Sequence, residues 1–406
     1  MRRSLPPAAL TALVLLTALN LFNFIDRYVL PGVQPLIQRE FHAGDERMGA
    51  LTYAFFVTYM LAAPLTGWLG DRLPRKPLIV AGALLWSAAT LLTAWVHTYQ
   101  QLYWRHALVG VGEATFSIFA PAMLADFYPE EQRNRILSIF YISIPVGAAL
   151  GYLLAGELGS GYGWRMPFYV SALPGVVIAL LLLALVREPA RGAADRLKST
   201  LQRSTIAGLF RNPAFWSCSL GMAAWTFSIG GISVWMPTFL FRYNGMSLQK
   251  ANLVLGAVTV IDGVAGTVAG GWLGQRWLRH NHRALYLISA WSAVLAVPGA
   301  LLAFFGPTWC TVPAMFVAEF FLFVSTGPLN TALVNSVNAA IRSSAIALNL
   351  FLIHAFGDAP SPRLIGAVSD RTNLRLGMGL TLAAMLVSGA ILFAGARFAP
   401  MLEAEG

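Results

Sequence analysis

Charge is scarce in this sequence. Asp, Glu, Lys and Arg make up 11% of its 406 residues, against about 25% in soluble domains. Hydrophobic residues reach 57% and mean hydropathy is +0.63. A soluble globular fold is excluded, because so few charges cannot cover so much apolar surface. Cysteine is scarcer still: Cys218 and Cys310 lie far apart in apolar surroundings, with neither a disulfide framework nor metal-ligand spacing. They read as small apolar residues. Nucleophile–base pairings, metal clusters and phosphate loops are missing too, so no catalytic residue, metal or cofactor is expected. The net charge of +10 raises nucleic acid as a partner. The basic residues, however, are scattered in short loops between apolar runs, as membrane topology requires, and not gathered into an arm or patch.

What the chain has in abundance is long apolar runs. About twelve, each long enough to cross a hydrocarbon core of about 30 Å, begin with residues 8–37 and include 101–127, 343–368 and 375–397. The first follows Met1-Arg2-Arg3 as a secretory signal would, but it is too long and carries Asp26-Arg27 where a cleavage site belongs, so it reads as a retained span. The longest polar interval, Arg187 to Asn212, divides the chain into 1–187, a linker at 188–212, and 213–406. Lys and Arg are concentrated in alternate loops, including Arg72, Arg75, Lys76, Arg133, Arg135 and the linker. The positive-inside rule places that side, with both termini, in the cytoplasm. A repeat supports the two halves: Gly67-Trp-Leu-Gly-Asp-Arg-Leu-Pro-Arg-Lys76 closes the second run, and Gly271-Trp-Leu-Gly-Gln-Arg-Trp-Leu-Arg-His280 closes the second run of the latter half.

The few charges inside apolar runs are the candidate functional residues, because each costs several kcal/mol in lipid and must face a bundle interior or a wet cavity. In the first run Asn20, Asn23 and Asp26 or Arg27 recur at helical spacing and form one polar stripe. In the fourth run Glu113 lies eight residues after Arg105, deep enough to face Asp26-Arg27 if the two helices are neighbours. A buried carboxylate whose pairing with an Arg can change is a proton carrier; one permanently paired is structural. In the eleventh run His354 and Asp358 are one turn apart on one face, a candidate proton relay. Asp262 and Glu319 show no partner in the sequence and read equally as structural or functional. Arg363 snorkels towards the outer surface. Trp225, Phe227, Trp235 and Phe239 line an amphiphile pocket or pack an interface.

Gly67-x-x-x-Asp71-Arg72-x-x-Arg75-Lys76 resembles the cytoplasmic loop signature of the major facilitator superfamily, with Pro74 where that signature has a Gly. Gly67 is expected to allow close helix approach, and Asp71 with Arg75 or Lys76 to form a switchable ion-pair cluster. Pro145, Gly147, Gly151 and Gly156 resemble the Pro/Gly pattern of facilitator exporters. Together with Asn23-Phe-Ile-Asp-Arg-Tyr28, Val111-Gly-Glu-Ala114, Ile139-Phe-Tyr-Ile-Ser-Ile-Pro-Val-Gly147, His354-Ala-Phe-Gly-Asp-Ala359 and the Gly366–Arg371 ending, the chain resembles the spinster branch of the superfamily along essentially its whole length. The resemblance implies an all-helical fold of two six-helix bundles around a cavity, alternating access, and proton-coupled movement of lysophospholipids or sphingoid phosphates. Asp26, Arg27, Glu113, His354 and Asp358 would form the switch. Asn20, Asn23, Arg105, Tyr141 and Trp225 would line the cavity, and Gly67, Asp71, Arg72, Arg75 and Lys76 the cytoplasmic gate. The expected setting is a bacterial inner membrane, the expected partners an amphiphile, protons and lipid, and the expected state a monomer. The alternatives are a polyspecific drug–proton antiporter of the same fold, an uncoupled lipid scramblase, and a membrane receptor.

Overall fold

The computed structural model of the protein describes residues 7–128, 130–190, 206–337 and 341–400, and among these the regular structure is helical, with no strand. The helices are α1 (Pro7–Phe41), α2 (Asp45–Arg72), α3 (Arg75–Thr93), α4 (Tyr99–Phe127), α5 (Glu130–Tyr141), α6 (Ser143–Tyr162) and α7 (Met166–Leu185). After the linker come α8 (Pro213–Tyr243), α9 (Leu248–Leu278), α10 (Ala284–Phe305), α11 (Thr311–Val324), α12 (Thr326–Asn335), α13 (Arg342–Ile353), α14 (Pro360–Arg371) and α15 (Leu374–Gly395). Most of the linker lies outside the described residues.

Among the described residues, 11 helical segments are long and apolar enough to cross a membrane. The apolar run at 343–368 is not one of them, because it is broken: α13 passes into a π-helical turn, His354–Asp358, before α14 resumes. Pro360 explains the break, since it offers no N–H and its ring crowds the carbonyl four residues back.

By internal contacts the chain forms two compact units. The first is Met1–Ala43, Ala50–Ser199 and Met246–Gly256; the second is Gly44–Gly49, Thr200–Gly245 and Ala257–Gly406. The first turn of α2 thus belongs with the second unit, and the first turns of α9 with the first.

In the first unit α1 lies along α6 and α7, and α3 along α4 and α7. Glycine makes the contacts close. A Cβ on Gly147 would stand 2.7 Å from the Leu21 carbonyl oxygen, and one on Gly151 2.6 Å from that of Ile25, so the α6 backbone rides on α1. Gly82 and Gly112 face each other between α3 and α4 in the same way. Trp86, Phe116 and Phe140 fill the core behind them.

In the second unit α8 packs on α15, and α10 on α11 and α15. Tyr286 on α10 donates to the Ala214 carbonyl at 2.8 Å, tying it to α8. The captured first turn of α2 is held through polar contacts. Asp45 accepts two bonds from Arg242, at 2.7 and 2.8 Å, and one from Ser369. Asp370 accepts the Asp45 and Glu46 amides at 2.7 and 2.9 Å, capping a helix N-terminus from another element.

Candidate functional site

The first unit holds a buried ion pair where α1 meets α4. Arg27 donates through Nε at 3.2 Å and through Nη2 to Glu113 Oε2. Glu113 is fully buried, and its other oxygen, Oε1, closes no hydrogen bond with a described residue, though the Asn23 amide lies near. The Arg27 guanidinium also lies over three rings, 4.8 Å from the Phe24 centroid, 5.0 Å from Phe55 and 5.9 Å from Phe56. Rings supply cation–π attraction where lipid-depth burial removes water. The pair is therefore a charge held by one carboxylate oxygen and aromatic faces, and neutralising the carboxylate would free it.

Asp26 does not share that site. Adjacent residues on a helix point about 100° apart, and Asp26 turns towards Ser171 of α7 and the Trp86 indole of α3. Its two oxygens, Ser171 Oγ and Trp86 Nε1 are all buried without closing a hydrogen bond. The single polar stripe expected on α1 is in fact split. Asn20 is tied into packing, its amide donating to the Phe140 carbonyl at 3.2 Å and to Ser143 Oγ at 2.7 Å. Asn23 is buried near Glu113, its amide unbonded. Arg105 is half-buried and bonds no described residue. Tyr141 is exposed over 46% of its surface.

In the second unit, His354 Nδ1 lies 3.0 and 3.1 Å from the two Asp358 oxygens across the π turn. Gly230 of α8 lets that turn approach, since a Cβ there would stand 2.7 Å from Asp358 Cβ. Trp225 spends its indole N–H on the Leu322 carbonyl at 2.9 Å. Asp262 and Glu319 are buried with one unbonded oxygen each. Gly266 rests on Phe320 and Gly270, one turn on, on Val324. In that parallel register Asp262 faces the turn of α11 that holds Glu319, and the two carboxyls lie within electrostatic range.

The loop signature uses partners that the motif does not contain. Arg75 pairs with Asp126 of α4. The Glu188 carboxylate accepts the Arg75 and Lys76 amides, capping α3. Lys76 Nζ donates to the Leu183 and Val186 carbonyls, both at 3.0 Å. Arg72 folds back over Trp68, 4.2 Å from its ring. The Asp71 side chain lies outside the described residues. Gly67 differs from expectation: nothing lies within 4 Å of where its Cβ would be, so no close helix approach depends on it. Asp126 and Glu188 escaped the sequence reading because they follow no motif spacing.

Compared with known proteins, residues 16–362 match the model of the Major Facilitator Superfamily. Protein spinster homolog 1 of Homo sapiens is 36% identical over 391 residues, 90% of this chain and 74% of that protein. The chain belongs to the spinster branch of the Major Facilitator Superfamily. It is a multi-pass membrane transporter, not an enzyme. Another spinster relative, the sphingosine-1-phosphate transporter SPNS2 of Danio rerio, is 33% identical over 377 residues, covering 86% of this chain and 74% of that one. The fold is similar to a bacterial homologue of the human lysosomal transporter Spinster in an inward-facing and occupied conformation, with a TM-score of 0.86, 22% identity and 97% of each chain covered. A D-xylose–proton symporter is similar at a TM-score of 0.75, 17% identity, 97% of this chain and 98% of that one.

Proposed function

We propose that this spinster-family transporter moves a lipid-like amphiphile, of the lysophospholipid or sphingoid-phosphate class, in exchange for or together with protons. The observation that carries the reading is the Arg27–Glu113 pair: a wholly buried carboxylate that spends one oxygen on a guanidinium itself 22% exposed, its other oxygen closing no hydrogen bond with a described residue. When Glu113 is ionised the two charges cancel. When it takes a proton, Arg27 is left as an uncompensated cation suited to an anionic head group. Proton and substrate then compete for, or cooperate through, one guanidinium, which is the coupling that alternating access needs. That a relative transports sphingosine-1-phosphate supports the substrate class. His354–Asp358 is the second candidate relay.

The test is uptake of labelled lysophospholipid into proteoliposomes with and without an imposed proton gradient, beside Glu113→Gln. The gradient-driven component is expected in the parent and absent in the variant, which should keep its elution profile and helical content. Flux in Glu113→Gln with the parent's pH dependence would overturn the coupling role. No lysolipid movement under any gradient would overturn the substrate class.

A further inference from the structure

His106 is a buried titratable group that the Arg27–Glu113 mechanism leaves unused. It lies on α4 seven residues before Glu113, which is two turns and about 10 Å along the same helix face. Its side chain is almost wholly buried and hydrogen-bonds no described residue. α4 reaches this depth because a Cβ on Gly110 would stand 2.3 Å from the Phe55 carbonyl, so α2 and α4 touch through backbone there. The imidazole lies against the Phe55 ring with centroids 5.6 Å apart and planes at 35°. The Arg27 guanidinium lies over that same ring at 5.0 Å. One aromatic side chain therefore joins the imidazole to the guanidinium.

The surrounding charges are few. α1 contributes Arg27, the charge within electrostatic reach of the imidazole. α2 contributes Tyr59, which lies with Phe55 and acts on Arg27, and otherwise keeps its ionised groups near its ends. α3, which packs along α4, has charge only in its first two residues, Arg75 and Lys76. α4 itself brings Arg105, Tyr103 one turn before the imidazole, and Glu113, bound to Arg27; its Asp126 lies far along the helix, paired with Arg75.

We propose that His106 is a ligand-linked proton site, taking up a proton when an anionic group binds at Arg27 beside Glu113. Two cations cannot share the faces around Phe55 at low cost. Burial, and the guanidinium on the same ring, both oppose a second cation beside Phe55 while Glu113 is the sole counter-charge of Arg27. Once a phosphate or carboxylate head group joins Glu113 at Arg27, the site gains a negative charge, and a proton from water can settle on the imidazole. The site then carries one proton on binding an anion in addition to any proton on Glu113. This inference rests on the proposed substrate class for its ligand, but its core, the antagonism of Arg27 and His106, does not.

The experiment follows the His106 ring by NMR in protein labelled with ¹³C-histidine in nanodiscs, the signal assigned by its loss in His106→Asn. The pH runs from about 8 to about 5.5, around histidine's ordinary value of about 6.5. The parent gives the reference curve. In Arg27→Gln the titration should move to higher pH, and in Arg27→Lys, which keeps the charge, it should stay as in the parent. Identical titration in the parent and in folded Arg27→Gln overturns the proposal. Where Arg27→Gln does not fold, the double variant Arg27→Gln/Glu113→Gln, which leaves no unpaired buried charge, decides: the His106 titration should move to higher pH than in the parent, and an unchanged curve overturns the proposal. Adding oleoyl lysophosphatidylglycerol to the parent should reproduce the Arg27→Gln curve. If the lysolipid has no effect while Arg27→Gln does, the charge antagonism stands and the lysolipid reading fails.

Discussion

Arg27 is held by geometry that only a guanidinium supplies. It gives two donors to one Glu113 oxygen while its flat face lies over Phe24, Phe55 and Phe56. An ammonium is a more strongly hydrated point charge and cannot do both. Arg27→Lys should therefore preserve the fold and the sign of the charge, yet lower lysolipid flux in proteoliposomes by about tenfold, which is ~1.4 kcal/mol in the barrier. Flux equal to the parent's would mean that charge alone is recognised. The charged positions themselves were legible in the sequence, because ionisable residues inside apolar runs stand out. Their directions were not. Asp26 and Arg27 are neighbours in the chain, but one faces Ser171 and Trp86 and the other Glu113. His106 drew no notice because a lone histidine beside Arg105 follows no spacing, and its contact with Phe55 is a tertiary fact.

The helices carry these residues because they approach at small-residue faces, and the same glycines decide what each element tolerates. A Cβ on Gly112 would fall 2.7 Å from both the Gly82 carbonyl oxygen and the Trp86 amide nitrogen, two backbone atoms that cannot turn aside. Gly112→Ala should lower the thermal unfolding midpoint in detergent, at a cost of about 1–3 kcal/mol for overpacking a close contact. Gly67→Ala serves as the control, because open space surrounds that position, and its midpoint should match the parent's. Equal midpoints in the two variants would show that α3 and α4 are not held at backbone distance. The motif drew attention to Gly67, whereas the contacts that set helix spacing belong to Gly82, Gly112, Gly147 and Gly151, whose partners no local pattern reveals. The eleventh apolar run shows the converse. Its length implied one uninterrupted span, while Pro360 already held the reason for the π turn that brings His354 to Asp358.

Across the molecule, the uneven distribution of Lys and Arg between alternate loops implies an orientation, and the two cysteines offer a way to read it. Cys218 is fully buried in α8. Cys310 is half-buried at the end of a short 3₁₀ turn, Thr308–Cys310, between α10 and α11. With the basic loops and both termini in the cytoplasm, each passage of the chain alternates sides, and the turn between α10 and α11 lies outside. A membrane-impermeant maleimide applied to intact cells in which the outer envelope has been opened should therefore label the protein once, and Cys310→Ser should abolish the labelling. Cys218→Ser should leave it unchanged. The thiol at Cys310 borders the apolar end of a membrane helix, so labelling is expected to be slow but one-sided. Reaction only after the membrane that holds the protein is permeabilised would place the turn in the cytoplasm and invert the topology. It would also set Arg75, Lys76, Asp126 and Glu188 on the outer face, where a cytoplasmic gate has no meaning.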